Sequence, residues 1–355
     1  MKFLKILAFP FSLLYGCIVF LRNKFYDWNF IKSEKFALPI ISVGNLSMGG
    51  TGKTPHIEYL IRLFKNEFTI ATLSRGYGRK TSGFILSQNK STTFEIGDEP
   101  LQFKTKFPEL TVAVDEKRVR GIKKLLELQP TLQTILLDDA FQHRAVKPGL
   151  SIVLTDYNNI YLNDFVVPSG NLREFKTGIK RADIIIVTKC PEDLLEKERT
   201  RLLTKINPLK HQHIYFSYIK YGNLIPLNSD NTKRDTTEHY FNKSYTMILL
   251  TGIANTSALE DYLKSKSKNI LAAKFPDHHV FTMNDIERVK EIFTTIASEN
   301  KIIVTTEKDA MRLKGIEFKN VLNDLPFFYI PIEIDFKDTD KEEFNKKLIN
   351  YVRTN

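Results

Sequence analysis

Ser47-Met48-Gly49-Gly50-Thr51-Gly52-Lys53-Thr54 is the stretch whose reading decides the fold of this chain. It follows a β-type apolar run, Leu38-Pro39-Ile40-Ile41-Ser42-Val43, and precedes a helix-like segment from His56 to Phe64. Strand, glycine-rich loop and helix in that order make a phosphate-binding P-loop. Glycines let the backbone close on an anion, N–H groups at the helix start bind it, Lys53 adds a point charge and Thr54 offers a hydroxyl to Mg²⁺. A chance Gly-Lys-Thr in a surface turn would need neither that strand nor that helix. The one departure from the usual pattern is Ser47, where a glycine opens most such loops.

Beyond the loop, short apolar runs alternate with helix-like segments: 68–73, 110–114, 134–137, 150–154 and 184–187. Such runs predict a mostly parallel sheet covered on both faces. The pattern lapses into Asn, Asp, Thr and Lys around 221–244 and then restarts with strands at 247–250, 302–304 and 327–330 and a helix near 257–264. The expected fold is α/β: a P-loop NTPase-type sheet flanked by helices, with a second, smaller α/β domain and an N-terminal membrane-associating helix. The expected boundaries are 1–32 for the amphipathic segment, 33–225 for the nucleotide-binding domain and 226–355 for the smaller domain.

The N-terminal segment has its own chemistry. An uncharged run from Ile6 to Leu21 is flanked by Lys2, Lys5, Arg22 and Lys24 and followed by Phe25, Tyr26, Trp28 and Phe30. The run is shorter than the ~20 residues that span a bilayer as a helix, a length that an ordinary buried helix shares. Aromatic rings and snorkelling lysines suit a membrane interface. A secretory signal would need a small-residue cleavage site, and a nucleotide loop belongs with cytosolic ATP. Composition agrees with a folded protein of 355 residues, 42% hydrophobic and 26% charged. The 52 Lys+Arg against 41 Asp+Glu give a net charge of +11, suited to nucleic acid, an anionic lipid surface or a phosphorylated substrate, and charge alone does not choose among them. Two cysteines, Cys17 and Cys190, exclude a disulfide framework or a cysteine-rich zinc site.

Several polar clusters follow apolar runs, where open α/β sheets gather their ligands. Leu136-Leu137-Asp138-Asp139 reads as a Walker-B-like element whose carboxylates hold Mg²⁺. Side chains alternate along a strand, so the two acids point differently. Ser74-Arg75-Gly76-Tyr77-Gly78 joins phosphate-gripping arginine to a stacking ring. Gly97-Asp98-Glu99-Pro100 places paired carboxylates in a loop, and Pro168 to Glu174 ends in an Arg-Glu pair. Asp277-His278-His279 lacks further ligands at metal-site spacing and suits proton transfer. Thr305-Thr306-Glu307-Lys308-Asp309 reads as a helix cap.

Taken together and in order, these blocks resemble the tetraacyldisaccharide 4′-kinases, which phosphorylate the lipid A precursor. Val43 to Pro55, Ser74 to Gly78, Gly97 to Pro100, Asp138 to Arg144, Pro168 to Glu174, Arg181 to Asp183, Thr251 to Ala254, Asp277 to His279 and Thr306 to Asp309 carry the likeness. That family's loop tolerates serine at the Ser47 position. The resemblance implies ATP- and Mg²⁺-dependent transfer of the γ-phosphate to the 4′-hydroxyl of an acylated disaccharide 1-phosphate. It implies an enzyme on the cytoplasmic face of the bacterial inner membrane, drawn to an anionic lipid surface, with no nucleic acid and no obligate protein partner. Ser47, Met48, Gly49, Gly50, Thr51, Gly52, Lys53 and Thr54 would hold ATP, and Thr54, Asp138 and Asp139 would place Mg²⁺. Asp98 with His278, the family's acid–histidine dyad, would take the hydroxyl proton, His278 being chosen over His279 because it directly follows Asp277. Arg75, Tyr77, Gln142, His143, Arg173 and Glu174 would face the sugar and its 1-phosphate.

Two rivals fail on single residues. Membrane-docking switch ATPases carry an extra lysine where this chain has Met48. Guanine-reading GTPases need an aspartate where Thr188-Lys189-Cys190-Pro191 has Pro191.

Overall fold

The computed structural model describes residues 2–227, 237–241, 244–253, 255–267, 269–277, 279–313, 318, 321–322 and 325–355. The chain forms two compact units, residues 1–220 with 333–355, and residues 221–332.

In the first unit, β1 (Ile40–Asn45) is flanked in parallel by β5 (Thr134–Asp138) and β6 (Leu150–Asp156). Parallel β2 (Ile70–Ser74) and β4 (Thr111–Val114) continue past β5, and the short β3 (Ile85–Leu86) closes that edge antiparallel. On the other side come β7 (Ile184–Cys190), β8 (His213–Tyr221) and β14 (Ile332–Phe336), giving the order β14-β8-β7-β6-β1-β5-β2-β4-β3. The central strands are buried along their whole length. Coverage of both faces is why the sequence shows apolar runs there and not alternation. Helix α2 (Lys53–Phe64) buries Ile57, Leu60, Ile61 and Phe64, the 3.6-residue stripe of a helix lying on a sheet.

Two strands at the far side, β8 and β14, are absent from the sequence reading. The C-terminal boundary also needs correction. Residues 333–355 belong to the first unit and not to the smaller domain. In the C-terminal helix, Asp338–Thr354, Phe344, Leu348 and Val352 lie four residues apart on one face. They pack with Tyr215, Phe336 and Phe64 in the main core. An amphipathic pattern says that a helix packs, but not onto which core.

Residues 1–27 likewise join the first unit. Helix α1 (Lys2–Asp27) docks through Ser12, Gly16 and Asn23, which share one side. The Ser12 hydroxyl accepts from the Ser169 N–H at 2.8 Å. A Cβ on Gly16 would fall 2.5 Å from the Phe175 ring, so glycine permits that contact. Leu7, Phe9, Phe11, Leu14, Ile18, Leu21 and Phe25 remain exposed. Among the described residues, no helix is long and apolar enough to cross a membrane.

The second unit is a five-stranded sheet, β11-β10-β12-β13-β9. Its strands β10 (Thr246–Thr251), β11 (Asn269–Lys274), β12 (Lys301–Thr306) and β13 (Phe327–Ile330) are parallel, and β9 (Ile225–Pro226) is antiparallel. It has separate hydrophobic clusters, one of them around Ile248, Leu250 and Ile303. The expected connector at 221–244 holds β9 and a short helix, Thr237–Tyr240, with 228–236 and 242–243 outside the described residues.

Because Phe344 is 1% exposed in the main core, Phe344→Ala should lower the unfolding free energy of the full chain by about 3–5 kcal/mol. Urea denaturation followed by circular dichroism measures this; an unchanged midpoint would show that the C-terminal helix does not hold that core.

Candidate active site

β1 ends at Asn45, and the loop that follows is built from backbone contacts. The Met48 N–H donates to the Asn171 carbonyl at 2.6 Å, and the Arg173 N–H to the Leu46 carbonyl at 2.7 Å. The Asn45 amide donates to the Thr51 hydroxyl at 2.9 Å, drawing the loop back toward its strand. Gly52, with φ of 87°, turns the chain in left-handed geometry into α2. That geometry favours glycine, and it places Lys53 and Thr54 in the first helical turn. Ser47 is buried, while Met48, Gly49 and Gly50 are exposed.

The acids sit beside this loop because β5 is paired with β1, Val43 lying opposite Asp138. Asp138 is buried at the strand end. Burial pushes its carboxyl up to about 7, and Asp139 and Glu99 add to the rise against the pull of Lys53 and Arg118. Its Oδ1 has no hydrogen-bond partner among the described residues. Asp139 has a left-handed φ of 47°, which turns it off the line of the strand. Arg173 grips it with both arms, at 2.7 and 3.0 Å, and Lys53 Nζ lies 3.7 Å away. Burial works to raise its pKa, but Lys53 and Arg173 outweigh that and hold it below the usual carboxylate range.

Arg173 is held in turn. Its Nη1 donates to Gln142 Oε1 at 3.4 Å, and Gln142 Nε2 donates to the Asn45 carbonyl at 2.9 Å and to Glu174 Oε1 at 3.0 Å. Glu174 also accepts a two-armed grip from Arg181, at 2.8 and 2.9 Å, and the Asn23 amide of α1 at 2.9 Å. The Tyr15 hydroxyl donates to the Arg173 carbonyl at 3.3 Å.

A second wall comes from the loops after β2 and before the helix Asp98–Lys106. Gly97 has φ of 91°, and a Cβ there would lie 2.8 Å from the Tyr77 carbonyl oxygen. Backbone therefore meets backbone, and half-buried Asp98 follows directly. Arg75 and Tyr77 are exposed beside it. His143 has its pKa held at about 4 by burial and by the cations Arg118, Arg22 and Arg75. At neutral pH its ring is uncharged, and Nε2 accepts the Arg118 N–H at 3.4 Å.

The structure thus gathers residues 47–54, Asp138, Asp139, Gln142, His143, Arg173 and Glu174 at neighbouring strand ends, with the Arg75, Tyr77 and Asp98 loops in contact with each other. Glu174 departs from its expected place facing a sugar. It is 2% exposed and fully engaged by Arg181, Gln142 and Asn23, so it braces the site from within. Arg118 is absent from the sequence reading. Buried, it donates to the Asp115 and Asp138 carbonyls at 2.6 and 3.3 Å, and burial brings its pKa down to about 10, so it stays cationic. Its only sequence signal is an arginine starting the helix after an apolar run, which Arg120 shares in part.

In the second unit, His278 lies outside the described residues. Its neighbour His279 is bound to Asp285 at 2.9 Å and stacked on Phe275 with ring centroids 4.7 Å apart. Thr306 and Asp309 do form a helix cap: the Thr306 hydroxyl donates to Asp309 Oδ2 at 2.7 Å and accepts the Asp309 N–H at 3.1 Å.

A family model described as tetraacyldisaccharide-1-P 4′-kinase matches residues 4–353. The tetraacyldisaccharide 4′-kinase of Bacteroides thetaiotaomicron is 46% identical over 355 residues, covering 98% of this chain and 93% of the relative. That of Flavobacterium psychrophilum is 46% identical over 357 residues, covering 100% and 98%. Among solved structures, the "apo" form of LpxK from Aquifex aeolicus in complex with ATP aligns with a TM-score of 0.74 at 28% identity, over 98% of this chain and 99% of that one.

Removing the Glu174 carboxylate leaves Arg181 and Asn23 without their shared acceptor. Glu174→Ala should destabilise the chain by about 3–5 kcal/mol, the usual cost of breaking a buried ion pair from one side. Thermal and urea melts beside the wild type check this, and a loss below the resolution of those melts would show that Glu174 does not brace the site.

Proposed function

The chain belongs to the tetraacyldisaccharide 4′-kinase family, and on that premise we propose how its own residues carry the reaction. Membership makes it an ATP-dependent phosphotransferase of lipid A biosynthesis. The γ-phosphate goes to the 4′-hydroxyl of tetraacyldisaccharide 1-phosphate, giving the 1,4′-bisphosphate, lipid IVA. The observation that supports the assignment of roles is the convergence of Lys53, Asp138 and Asp139 where β1 and β5 end side by side.

The backbone of residues 47–54 cradles the phosphates, and Lys53 adds its charge at the β- and γ-positions. Asp139, held between Lys53 and Arg173, orients that lysine. Asp138 and Thr54 fit Mg²⁺: a buried, unpartnered carboxylate oxygen with a raised pKa is a site that a hard cation completes. Mg²⁺ bound there would neutralise charge on the β- and γ-phosphate oxygens. Asp98 receives the proton as the hydroxyl oxygen bonds to the γ-phosphorus and ADP departs. Its pairing with His278 rests on the family resemblance alone. Arg75, Tyr77, Arg173 and neutral His143 are offered to the sugar and its 1-phosphate, while Gln142 and Glu174 position Arg173. The apolar side of α1 and the net charge of +11 suit an anionic lipid surface, and we place the enzyme peripherally on the cytoplasmic face of the inner membrane.

Detergent-purified protein with γ-labelled ATP, Mg²⁺ and tetraacyldisaccharide 1-phosphate should transfer label to the lipid, and Lys53→Ala should abolish it. Asp98→Ala should lower kcat by ~10²–10⁴ while ATP binding persists, the range for losing a general base. Near-normal turnover by Asp98→Ala would remove it as the base, and membrane-stimulated ATP hydrolysis with no labelled lipid would overturn the kinase reading.

A further inference from the structure

The outer edge of the P-loop is held by the end of β7, at Thr188-Lys189-Cys190-Pro191. This stretch cannot read guanine because Pro191 replaces the necessary aspartate. It nonetheless reaches the nucleotide loop. Lys189 Nζ donates to the Gly50 carbonyl at 2.6 Å and to Asp156 Oδ2 at 2.7 Å. The Thr188 hydroxyl lies 2.9 Å from the Thr51 carbonyl and 3.3 Å from that of Thr155, and its single proton goes to the nearer. Two successive loop carbonyls are thus captured from one side.

The local backbone is bent to make this possible. Strand register shifts between Val187 and Cys190, and Lys189 takes a left-handed φ of 57°. That conformation costs roughly 1–2 kcal/mol for a residue with a Cβ. The Lys189–Asp156 pair is part-buried, and the same ammonium also serves the Gly50 carbonyl, so the bent backbone places one cation on both acceptors. The loop, by contrast, needs outside support. A Cβ at Gly49 or Gly50 would meet nothing within 4 Å, so packing does not restrain this part of the loop; besides Lys189, the Asn45 amide reaches it, 3.4 Å from the Gly49 carbonyl.

We propose that Thr188 and Lys189 are positioning residues for the nucleotide, acting through the P-loop backbone. A peptide unit is planar and trans, so its C=O and N–H point in opposite directions. Holding the carbonyls of Gly50 and Thr51 toward β7 aims the N–H groups of Thr51 and Gly52 away from it, into the loop. The Thr51 N–H closes on the Gly49 carbonyl at 3.0 Å, an acceptor that a phosphate oxygen would replace. Asp156 keeps the Lys189 ammonium in place for this task. The inference rests on the kinase reading above, and it adds residues far from the motif to ATP affinity.

The test is titration of each variant with a fluorescent ATP analogue, beside steady-state kinetics with ATP and lipid varied separately. Lys189→Ala should weaken nucleotide binding and raise the KM for ATP about 10-fold, the scale of one charge-assisted hydrogen bond. The KM for lipid should stay constant and kcat should stay within about twofold, because loop aiming acts at binding. Thr188→Val and Asp156→Asn should shift the same parameter less, and Lys189→Arg should restore most of it. If Lys189→Ala fails to fold, Thr188→Val and Asp156→Asn decide the matter. Unchanged ATP affinity in the variants, or equal losses toward both substrates, would overturn the proposal. A wild type that binds no nucleotide would instead overturn the kinase reading.

Discussion

Asp139 lies between two cations because β5 runs parallel to β1 with Val43 opposite Asp138. That pairing brings the end of one strand, where the backbone turns into the phosphate loop, beside the end of the next, which carries the acids. Everything charged in the site is arranged around this adjacency. Lys53 enters from the first turn of α2, and Arg173 from a segment whose backbone is bonded to the loop at Leu46 and Met48. A sheet edge could not do this, since a single flanking strand would supply one of these walls and leave the other to solvent.

The same adjacency separates two chemically identical neighbours. Asp138 stays on the strand, buried, and its carboxyl rises to about 7; Asp139 turns away through a left-handed residue, meets Lys53 and Arg173, and falls below the carboxylate range. Environments that push adjacent acids apart assign them different work. Asp138 keeps a carboxylate oxygen without a partner among the described residues, whereas Asp139 is gripped by both arms of Arg173 beside Lys53.

What was legible in the sequence was what is contiguous. Residues 47–54 and Asp138-Asp139 can be read because loop, charge and flanking strand sit within a few residues of one another. The central strands can be read because burial on both faces writes itself as apolar runs. Arg118 and Lys189 could not be found that way. Each is an ordinary basic residue in sequence, and its role depends on a partner brought close only by folding: the Asp138 carbonyl for Arg118, the Gly50 carbonyl for Lys189. Glu174 was legible as a charged pair with Arg173, but its direction was not. Arg173 points to Asp139, while Glu174 turns inward to Arg181. The C-terminal helix announced its apolar face without naming the core that takes it.

Helix α1 shows how a surface element is tied to this centre. It docks with small and polar groups, Ser12, Gly16 and Asn23, and leaves its leucines and phenylalanines outside. A helix selected only to pack on its own domain would bury the apolar side and expose the polar one. The inversion has a reason if a second apolar phase covers the outer face, since exposed contiguous apolar surface is otherwise a cost without return. It also makes the docking face specific. The acceptor for Asn23 is the Glu174 carboxylate, which also accepts from Gln142, and Gln142 meets both Arg173 and the carbonyl at the end of β1. One buried carboxylate therefore fixes both the seat of helix α1 and the arginine that grips Asp139, so neither can shift without straining the other.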